Sequence, residues 1–434
     1  MVSDETIVLE DWNPWWKKEG EKAIVELIGT ERTILKEILP YTKKFIIKLF
    51  VGVRRAGKST LMYQIIQNLL KEQNIDPANI LFLNLEDIRF SKKALDKWYT
   101  LYYEYKKPDG IPHIFLDEIH NIENWNSFVR SLTDRKQAFI YISDSSSYLL
   151  PIEAQTILSG RKITFEIYPF SFREYLKVKD DSLEPFNQEG IAKVKGYLKN
   201  YIWQGGFPEI YDLEWKQAKK LLIEYFEDIV TKDIIVRNSI TGNKIRQIAL
   251  YALTNSAQRI SYRKIQRIYG VGTDIPEKYL SFMEEVFLCF TIHQFSTKLK
   301  VQHLKPKKLY PIDTGLANAI SFRVSENIGP ILELAVFLEL KRRGYDIFYY
   351  DLTNEKHEID FVVVQGYEIV YLINVAYEIS QEKTKKRELE GLKTALEELN
   401  AKKAILIVWD SNSVDTDEIT DKVTIVPAWK WFLE

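Results

Sequence analysis

Apolar runs of strand length punctuate the first 170 residues, and between them the apolar positions fall three and four apart. Phe45 to Val51, Ile80 to Leu85, Ile114 to Leu116, Phe139 to Ile142 and Ile163 to Ile167 read as strands. Ser59 to Glu72 and Trp125 to Asp134 read as helices. Strands that alternate with helices predict an α/β fold, a parallel sheet covered on both faces. Ahead of it, residues 1–44 carry the aromatic arm Trp12-Asn13-Pro14-Trp15-Trp16 and an amphipathic stretch from Ile24 to Leu39. The pattern changes after Pro169. Residues 170–255 read as helical, with a loop from Lys179 to Gln188. Three helices are expected over 242–311: Asn243 to Ala257, Ser261 to Tyr269, and one opened by Asp274-Ile275-Pro276-Glu277 and running to Phe290. Pro just inside the start fixes that third boundary. A hairpin-like segment follows, and a shorter helix–strand alternation begins near Gly329. The expected segments are therefore 1–44, 45–169, 170–241, 242–328 and 329–434, with no internal repeat.

Composition narrows the function classes. A chain of 434 residues, 46% of them hydrophobic, has enough apolar material for two to four domains. Lys and Arg total 60 against 61 Asp and Glu, which excludes a globally basic nucleic-acid coater but allows a local basic patch. The single cysteine, Cys289, lies in the apolar run Val286 to Phe290 and reads as a buried, inert thiol; alone it forms no internal disulfide. The acidic stretch Met1 to Asp11 lacks the apolar core of a signal peptide. No apolar run is long enough to span a bilayer. The expectation is a cytoplasmic protein without a membrane partner.

Gly52-Val53-Arg54-Arg55-Ala56-Gly57-Lys58-Ser59 fits G-x-x-x-x-G-K-[ST], the phosphate-binding loop. Glycines let the backbone curl until its N–H groups face phosphate oxygens. Lys58 would stand by the β- and γ-phosphates, and the Ser59 hydroxyl would bind Mg²⁺. The helix that starts there adds its positive dipole end. Gly52, Arg55, Ala56, Gly57, Lys58, Ser59 and Thr60 are the candidate ATP contacts. The pattern alone also arises by chance; here it follows a strand and opens a helix. Downstream, Ile114-Phe115-Leu116-Asp117-Glu118 is an apolar strand ending in two acids, as in a Walker B motif. Asp117 would hold Mg²⁺ and Glu118 would orient or deprotonate the attacking water.

Several further blocks carry a resemblance: Asn13-Pro14-Trp15-Trp16, Arg54-Arg55 in the loop, Leu116-Asp117-Glu118-Ile119-His120, Ser145-Ser146-Ser147 with Leu149-Leu150, Leu158-Ser159-Gly160-Arg161, Pro169 to Tyr175, Gly205-Gly206-Phe207-Pro208-Glu209, Asp313-Thr314-Gly315-Leu316 and Glu358-Ile359-Asp360-Phe361. With these the chain resembles, over nearly its whole length, a large prokaryotic family of AAA+ P-loop ATPases, abundant in archaea and related to the STAND NTPases. The resemblance implies an ATPase core over 45–169, a helical lid over 170–241, a winged helix over 242–328 and a restriction-endonuclease-like PD-(D/E)XK domain over 329–434. It implies a homo-oligomer in which Arg161 reaches a neighbouring subunit's ATP as an arginine finger. The alternative for Arg161 is a surface arginine at a helix end. A polar group among Ser143, Asp144, Ser145 and Ser146 would sense the γ-phosphate, or these residues cap the next helix. The family usually has glycine where this chain has Asp144, and an acid turned inward there would repel phosphate. Pro208 would pack on adenine as in related NTPases, or it makes a rigid turn.

The C-terminal half poses two questions of chemistry. The third winged-helix helix exposes Glu277, Lys278, Glu284 and Glu285, without Arg, Asn or Gln to read bases. Lys298, Lys300, Lys305, Lys307 and Lys308 form an acid-free basic wing that fits DNA phosphate, or is merely a solvated loop. In the nuclease-like segment Glu333 would be the helix acid and Asp360 the strand acid, with Glu358 on the same face. The acid and lysine that an active site needs on the next strand are replaced by Asn374 and Ala376, so a nuclease fold without nuclease activity is expected. The expected function is ATP hydrolysis coupled to DNA or a DNA-bound assembly; the alternative is a slow nucleotide switch that recruits a protein.

Overall fold

A computed structural model describes residues 4–17, 20–146, 158–180, 182–184, 187–240, 242–321, 328–353, 357–377, 382–410 and 422–434. The chain divides into two compact units, Met1–Tyr168 and Pro169–Glu434.

The first unit is built on five parallel strands: β1 (Ile47–Val51), β2 (Ile80–Asn84), β3 (His113–Asp117), β4 (Phe139–Asp144) and β5 (Lys162–Glu166). Their order in the sheet is β2-β3-β4-β1-β5. Both faces are covered, so the central strands are buried on both sides and read as unbroken apolar runs. The helix Lys58–Lys71 follows β1 and buries Leu61, Ile65 and Leu69 on one face, the four-residue spacing of a helical stripe. The helix Trp125–Asp134 has the expected bounds. Leu95–Lys106, unforeseen in the sequence, buries Trp98 and Tyr102 one turn apart.

Edge strand β2 is closed by the aromatic arm. The Asn13 side chain donates to Phe82 O at 2.9 Å and accepts from Phe82 N at 2.7 Å, imitating a neighbouring strand. The Trp15 and Trp16 indoles both donate to Ile80 O, at 3.3 and 3.0 Å. Exposed strand edges invite pairing with other chains, and this arm covers one. The stretch Ile24 to Leu39 is not one helix. It breaks between Gly20–Leu27 and Leu35–Ile38, at Gly29 with φ 49°, and the break brings Arg32 inward.

The second unit opens with helices Phe172–Lys179, Gln188–Gln204 and Trp215–Asp228, the last running into a π-helical stretch Ile229–Val236. A helix Gly242–Thr254, β6 (Gln258–Arg259), helices Tyr262–Tyr269 and Ile275–Glu285, β7 (Cys289–Ile292), a short helix Leu299–Leu304 and β8 (Lys308–Pro311) come next. The three strands form an antiparallel sheet in the order β6-β8-β7. Two expectations fail here. The third helix stops at Glu285, not Phe290, because Phe287 takes φ 58° and the apolar residues after it pair as β7 with β8. The basic segment contains a helical turn instead of a plain hairpin tip.

The remainder holds helix Gly329–Arg342, strands β9 (Asp346–Asp351), β10 (Glu358–Gln365) and β11 (Glu368–Ala376), helix Glu382–Leu399, β12 (Ala404–Val408) and β13 (Val423–Pro427). Strands β9 to β11 form an antiparallel meander, β12 joins β11 in parallel, and the order is β13-β12-β11-β10-β9. Helix Gly329–Arg342 is apolar nearly all round and touches both β8 and the larger sheet, where Phe337 stacks on Tyr310 and Phe361.

The Gly205-Gly206 and Asp313-Thr314-Gly315 motifs interlock. Asp313 caps Leu316 N at 2.8 Å and also accepts from Gly206 N at 2.7 Å. A Cβ on Gly315 would lie 1.6 Å from Gln204 O, and one on Gly205 would meet the Asp313 carboxylate at 2.2 Å. Helix Thr314–Ile320 packs against Gln188–Gln204 and Trp215–Asp228. Burial raises the Asp313 carboxyl to about 6, against the lowering pull of the Gly206 and Leu316 backbone bonds.

Candidate active site

Parallel registration brings the two acidic and phosphate-binding motifs together. Because β4 lies between β1 and β3, the C-terminal ends of all three open on one spot. Gly52 has no room for a side chain: a Cβ would stand 2.1 Å from Ile167 O. Arg55 and Gly57 take φ 67° and 91°, which curls the loop into the helix Lys58–Lys71. Arg54 extends to Glu86 at 3.0 Å. Lys58, 4% exposed, donates to Gly52 O at 3.1 Å and to Val53 O at 3.3 Å, and its ammonium is 3.6 Å from Glu118.

Ser59 Oγ donates to Asp117 Oδ2 at 2.6 Å. Ser143 Oγ donates to the other Asp117 oxygen and accepts from Glu118 N at 2.9 Å. Ser59, Asp117, Ser143 and Glu118 therefore form one hydrogen-bonded chain that links the start of the loop helix to the ends of β3 and β4. Burial pushes the Asp117 carboxyl upward, and the bonds from Ser143 and Ser59 counter it. Burial raises the Glu118 carboxyl too, opposed by Lys58 and reinforced by Asp117 and Asp144. Two adjacent oxygen donors, Ser59 and Asp117, fit Mg²⁺, which takes few protein ligands and fills the rest of its shell with water and phosphate oxygens.

Asp144, fully buried at the end of β4, divides its carboxylate between a turn and a ring. One oxygen accepts from Ser146 N at 2.8 Å, and the other lies 3.3 Å from His120 Nδ1. Ser147, Leu149 and Leu150, and any helix cap they would form, lie outside the described residues. Arg161 is at the surface, with Nε donating to Asp134 Oδ1 at 2.6 Å. Thr60 sits in the first turn of the loop helix. Pro208 belongs to the second unit, where it opens the 3-10 turn Pro208–Ile210 beside the buried Phe207.

Arg32 is a participant that sequence reasoning missed. Its guanidinium, 4% exposed, donates to Ala56 O in the phosphate-binding loop and to Tyr168 O, both at 2.7 Å. Its backbone N–H is held by Gln64 from the loop helix at 3.1 Å. No motif marks it; only tertiary contact does.

A second cluster lies in the second unit, where β8, helix Gly329–Arg342 and β10 meet. Glu333, Glu358 and Asp360 converge as expected, and the centre of the cluster is the ammonium of Lys308. Lys308 Nζ is 3.0 Å from Glu333 and 3.5 Å from Asp360, and pairs closely with Glu358, while its side chain is 4% exposed. Tyr310 donates to Glu333 at 2.8 Å, and Arg259 clasps Glu358 and Asp351. Burial alone would lower the Lys308 pKa, but the pull of Glu333, Asp360 and Glu358 wins and raises it. Lys308 therefore cannot serve as a phosphate contact in the basic wing; it is a buried ion-pair centre. Asn374 takes the place of an acid, accepting from Asp360 N at 3.1 Å and donating to Glu388 at 2.8 Å. With an ammonium inside the cluster and an amide at the fourth position, these residues do not fit a catalytic metal.

Residues 44–176 match an AAA domain family, and residues 195–327 and 328–431 match two domains of unknown function, DUF8612 and DUF4143. Fold, phosphate-binding loop and matched domain define an AAA-type, nucleotide-binding P-loop ATPase. The chain belongs to one family with the uncharacterized protein MJ1544 of Methanocaldococcus jannaschii, 35% identical over 405 residues, 89% of this chain and 88% of the relative. An uncharacterized protein of Haemophilus influenzae is 31% identical over 359 residues, 80% of this chain and 86% of its own. The STAND protein PH0952 of Pyrococcus horikoshii, which has a tetratricopeptide repeat sensor, aligns over 72% of this chain and 46% of its own at 13% identity and a TM-score of 0.28, too weak a likeness to bear on function. Among the described residues no helix is long and apolar enough to cross a membrane.

Proposed function

We propose that the protein hydrolyses ATP with Mg²⁺ and couples turnover to DNA or a DNA-bound assembly. The observation that carries the hydrolytic reading is the Ser59–Asp117–Ser143–Glu118 chain beside a loop lysine already poised by two carbonyls. Gly52, Arg55, Ala56, Gly57, Lys58, Ser59 and Thr60 would cradle the phosphates. Ser59 and Asp117 would hold Mg²⁺, whose bound charge offsets that of the phosphates. Glu118 would take the proton of the attacking water, and Ser143 would couple its backbone to the metal acid. Pro208 remains the candidate adenine contact. In a homo-oligomer Arg161 would serve a neighbouring subunit's nucleotide. Its hold on Asp134 is an exposed surface ion pair, so leaving it is cheap.

The DNA half of the proposal rests on the order helix, β6, helix, helix, β7, β8, which is that of a winged helix, and on Lys298, Lys300, Lys305 and Lys307 between its last strands. The meander β9 to β11 with β12 parallel to β11 supports the nuclease-like reading of the C-terminal part, and Lys308, Asn374 and Ala376 support its inactivity. A second reading, a slow switch that recruits a protein, is favoured by the exposed face of helix Ile275–Glu285, which offers Glu277, Lys278 and Ser281 but no Arg, Asn or Gln for the bidentate reading of a purine. The test compares ATP hydrolysis by wild type and Glu118→Gln with single-stranded and duplex DNA at two salt concentrations. Stimulation by DNA that fades with salt and with the four lysines changed to alanine is expected. Hydrolysis indifferent to every nucleic acid would transfer the proposal to the protein-recruiting switch. Metal-dependent DNA cleavage lost in Asp360→Ala would overturn the inactive-nuclease reading.

A further inference from the structure

One ring nitrogen at the nucleotide site faces two carboxylates. His120 Nδ1 lies 3.3 Å from Asp144 Oδ2 and 3.5 Å from Glu118 Oε2. Both distances are within ion-pair reach and longer than a charge-assisted hydrogen bond, so a small ring rotation brings the nitrogen into bonding range of one oxygen or the other.

The ring's place is fixed by the backbone around it. Glu118 takes φ 53°, left-handed for a residue with a side chain, and leads into the 3-10 turn Ile119–Asn121. Ile119 is fully buried, and Asn121 Nδ2 donates to Glu118 O at 3.0 Å, closing the turn from the other side. Asp144 is also fully buried at the end of β4, and its turn bond to Ser146 N holds one oxygen still while the other meets the ring. The His120 side chain itself is 25% accessible, so it sits at the mouth and not in the core.

The charges facing Glu118 make this contact consequential. Lys58, Asp117, His120 and Asp144 all act on its carboxylate. Of these, Lys58 is the strongest cationic partner, at 3.6 Å. A phosphate-binding lysine turns to the β- and γ-phosphates when nucleotide enters. Glu118 then keeps two acids beside it and loses its main cation. Of the described groups that act on it, His120 is then the one able to donate to the carboxylate, and Asp144 is the brace that keeps the ring from following it.

We propose that His120, braced by Asp144, is a positioning residue that aims Glu118 at the attacking water once Lys58 has moved to phosphate. The proposal rests on the ATPase reading above. It also gives the acid at position 144 a role, that of fixing the imidazole.

The test measures kcat for ATP and the affinity for a fluorescent ATP analogue in wild type, Glu118→Gln, His120→Ala, His120→Gln, Asp144→Asn and the His120→Ala/Asp144→Asn double variant, with a thermal melt of each. His120→Ala is expected to lower kcat on the order of 10–100-fold, a part of the 10²–10⁴ that a general base supplies, with analogue affinity within about twofold. His120→Gln, which keeps a donor near the same place, recovers most of the loss. Asp144→Asn falls between, and the double variant is no slower than His120→Ala, because both changes break one unit. Wild-type kcat in His120→Ala, or equal losses of kcat and affinity that His120→Gln does not restore, overturns the proposal. If wild type hydrolyses ATP, Glu118→Gln does not and His120→Ala turns over normally, the positioning role fails alone. A wild type without hydrolysis brings down both readings.

Discussion

Replacing Lys308 by methionine keeps the length of the side chain and removes one charge from the centre of three carboxylates. Removing one partner of a buried ion pair typically costs about 3–5 kcal/mol, because the other charge is left without compensation. Here Glu333, Glu358 and Asp360 are 14%, 26% and 19% accessible, so water relieves part of the repulsion. Arg259 also remains on Glu358. The lower end, about 3 kcal/mol, is therefore expected. At roughly 2.1 cal/mol/K of unfolding entropy per residue, a unit of this size would lose about 5 °C in Tm. Glu333→Gln in the Lys308→Met background removes one of the stranded charges and keeps an acceptor for Tyr310. It should recover about half of the loss, whereas in wild type the same change should destabilise. Chemical denaturation of the four proteins of this cycle, at neutral pH and two salt concentrations, measures the coupling. A Lys308→Met protein as stable as wild type, or additive effects in the double variant, would refute the view that the ammonium holds the cluster together.

Lys48 is buried against Tyr141, with its ammonium 4.5 Å from the ring centroid and bonded to Lys44 O, and burial lowers its pKa from 10.5 to about 7. Between those values the unfolded chain binds a proton that the folded one does not, so stability is gained as pH rises from about 7 to 10.5 and lost over the same window as pH falls, by at most about 5 kcal/mol. Lys48→Met should flatten that gain relative to wild type in melts across this range; an unchanged pH slope would show that Lys48 stays charged. Arg32→Met removes two bonds from a cation to buried carbonyls and should cost about 3 kcal/mol of stability and weaken nucleotide binding roughly tenfold through the loop, read by calorimetry. Asn13→Ala leaves both polar groups of Phe82 without a partner on edge strand β2 and should destabilise by about 2–3 kcal/mol, with dimers or larger species in light scattering as the edge opens.

The sequence discloses what is local. The loop Gly52 to Ser59 and the strand ending in Asp117-Glu118 are visible because each depends on a short run of residue types, and strands β1 to β5 because burial on both faces leaves unbroken apolar runs. Sheet order is not local: nothing in the spacing puts β4 between β1 and β3, yet that insertion makes Ser143 a partner of Asp117. Arg32 was hidden for the same reason, since its acceptors lie 24 and 136 residues away. Lys308 misleads for a different one. Lys305 and Lys307 precede it and it reads as part of a solvated basic run, but alternation along β8 turns it inward, toward Glu333, Glu358 and Asp360, which lie far along the chain. The helix Ile275–Glu285 is shorter than its amphipathic pattern because the apolar run after it has partners in β8, and pairing outweighs helical propensity.

The junction of Gly205 and Gly206 with Asp313 and Gly315 bears on how this chain can be dissected. A fragment ending anywhere between residues 206 and 313 would part a buried carboxylate from its backbone donor and strip helix Thr314–Ile320 from the helices it packs on. The helices after Pro169 and the segment through helix Thr314–Ile320 are thus a single unit for expression, and a productive excision would begin near Pro169 and carry both arms of the junction. The same contact should leave a mark across relatives. Bulk at position 315 would strike the backbone of residue 204, which no substitution withdraws, and at position 205 a φ of 91° strains any side chain, so both positions are expected to stay glycine.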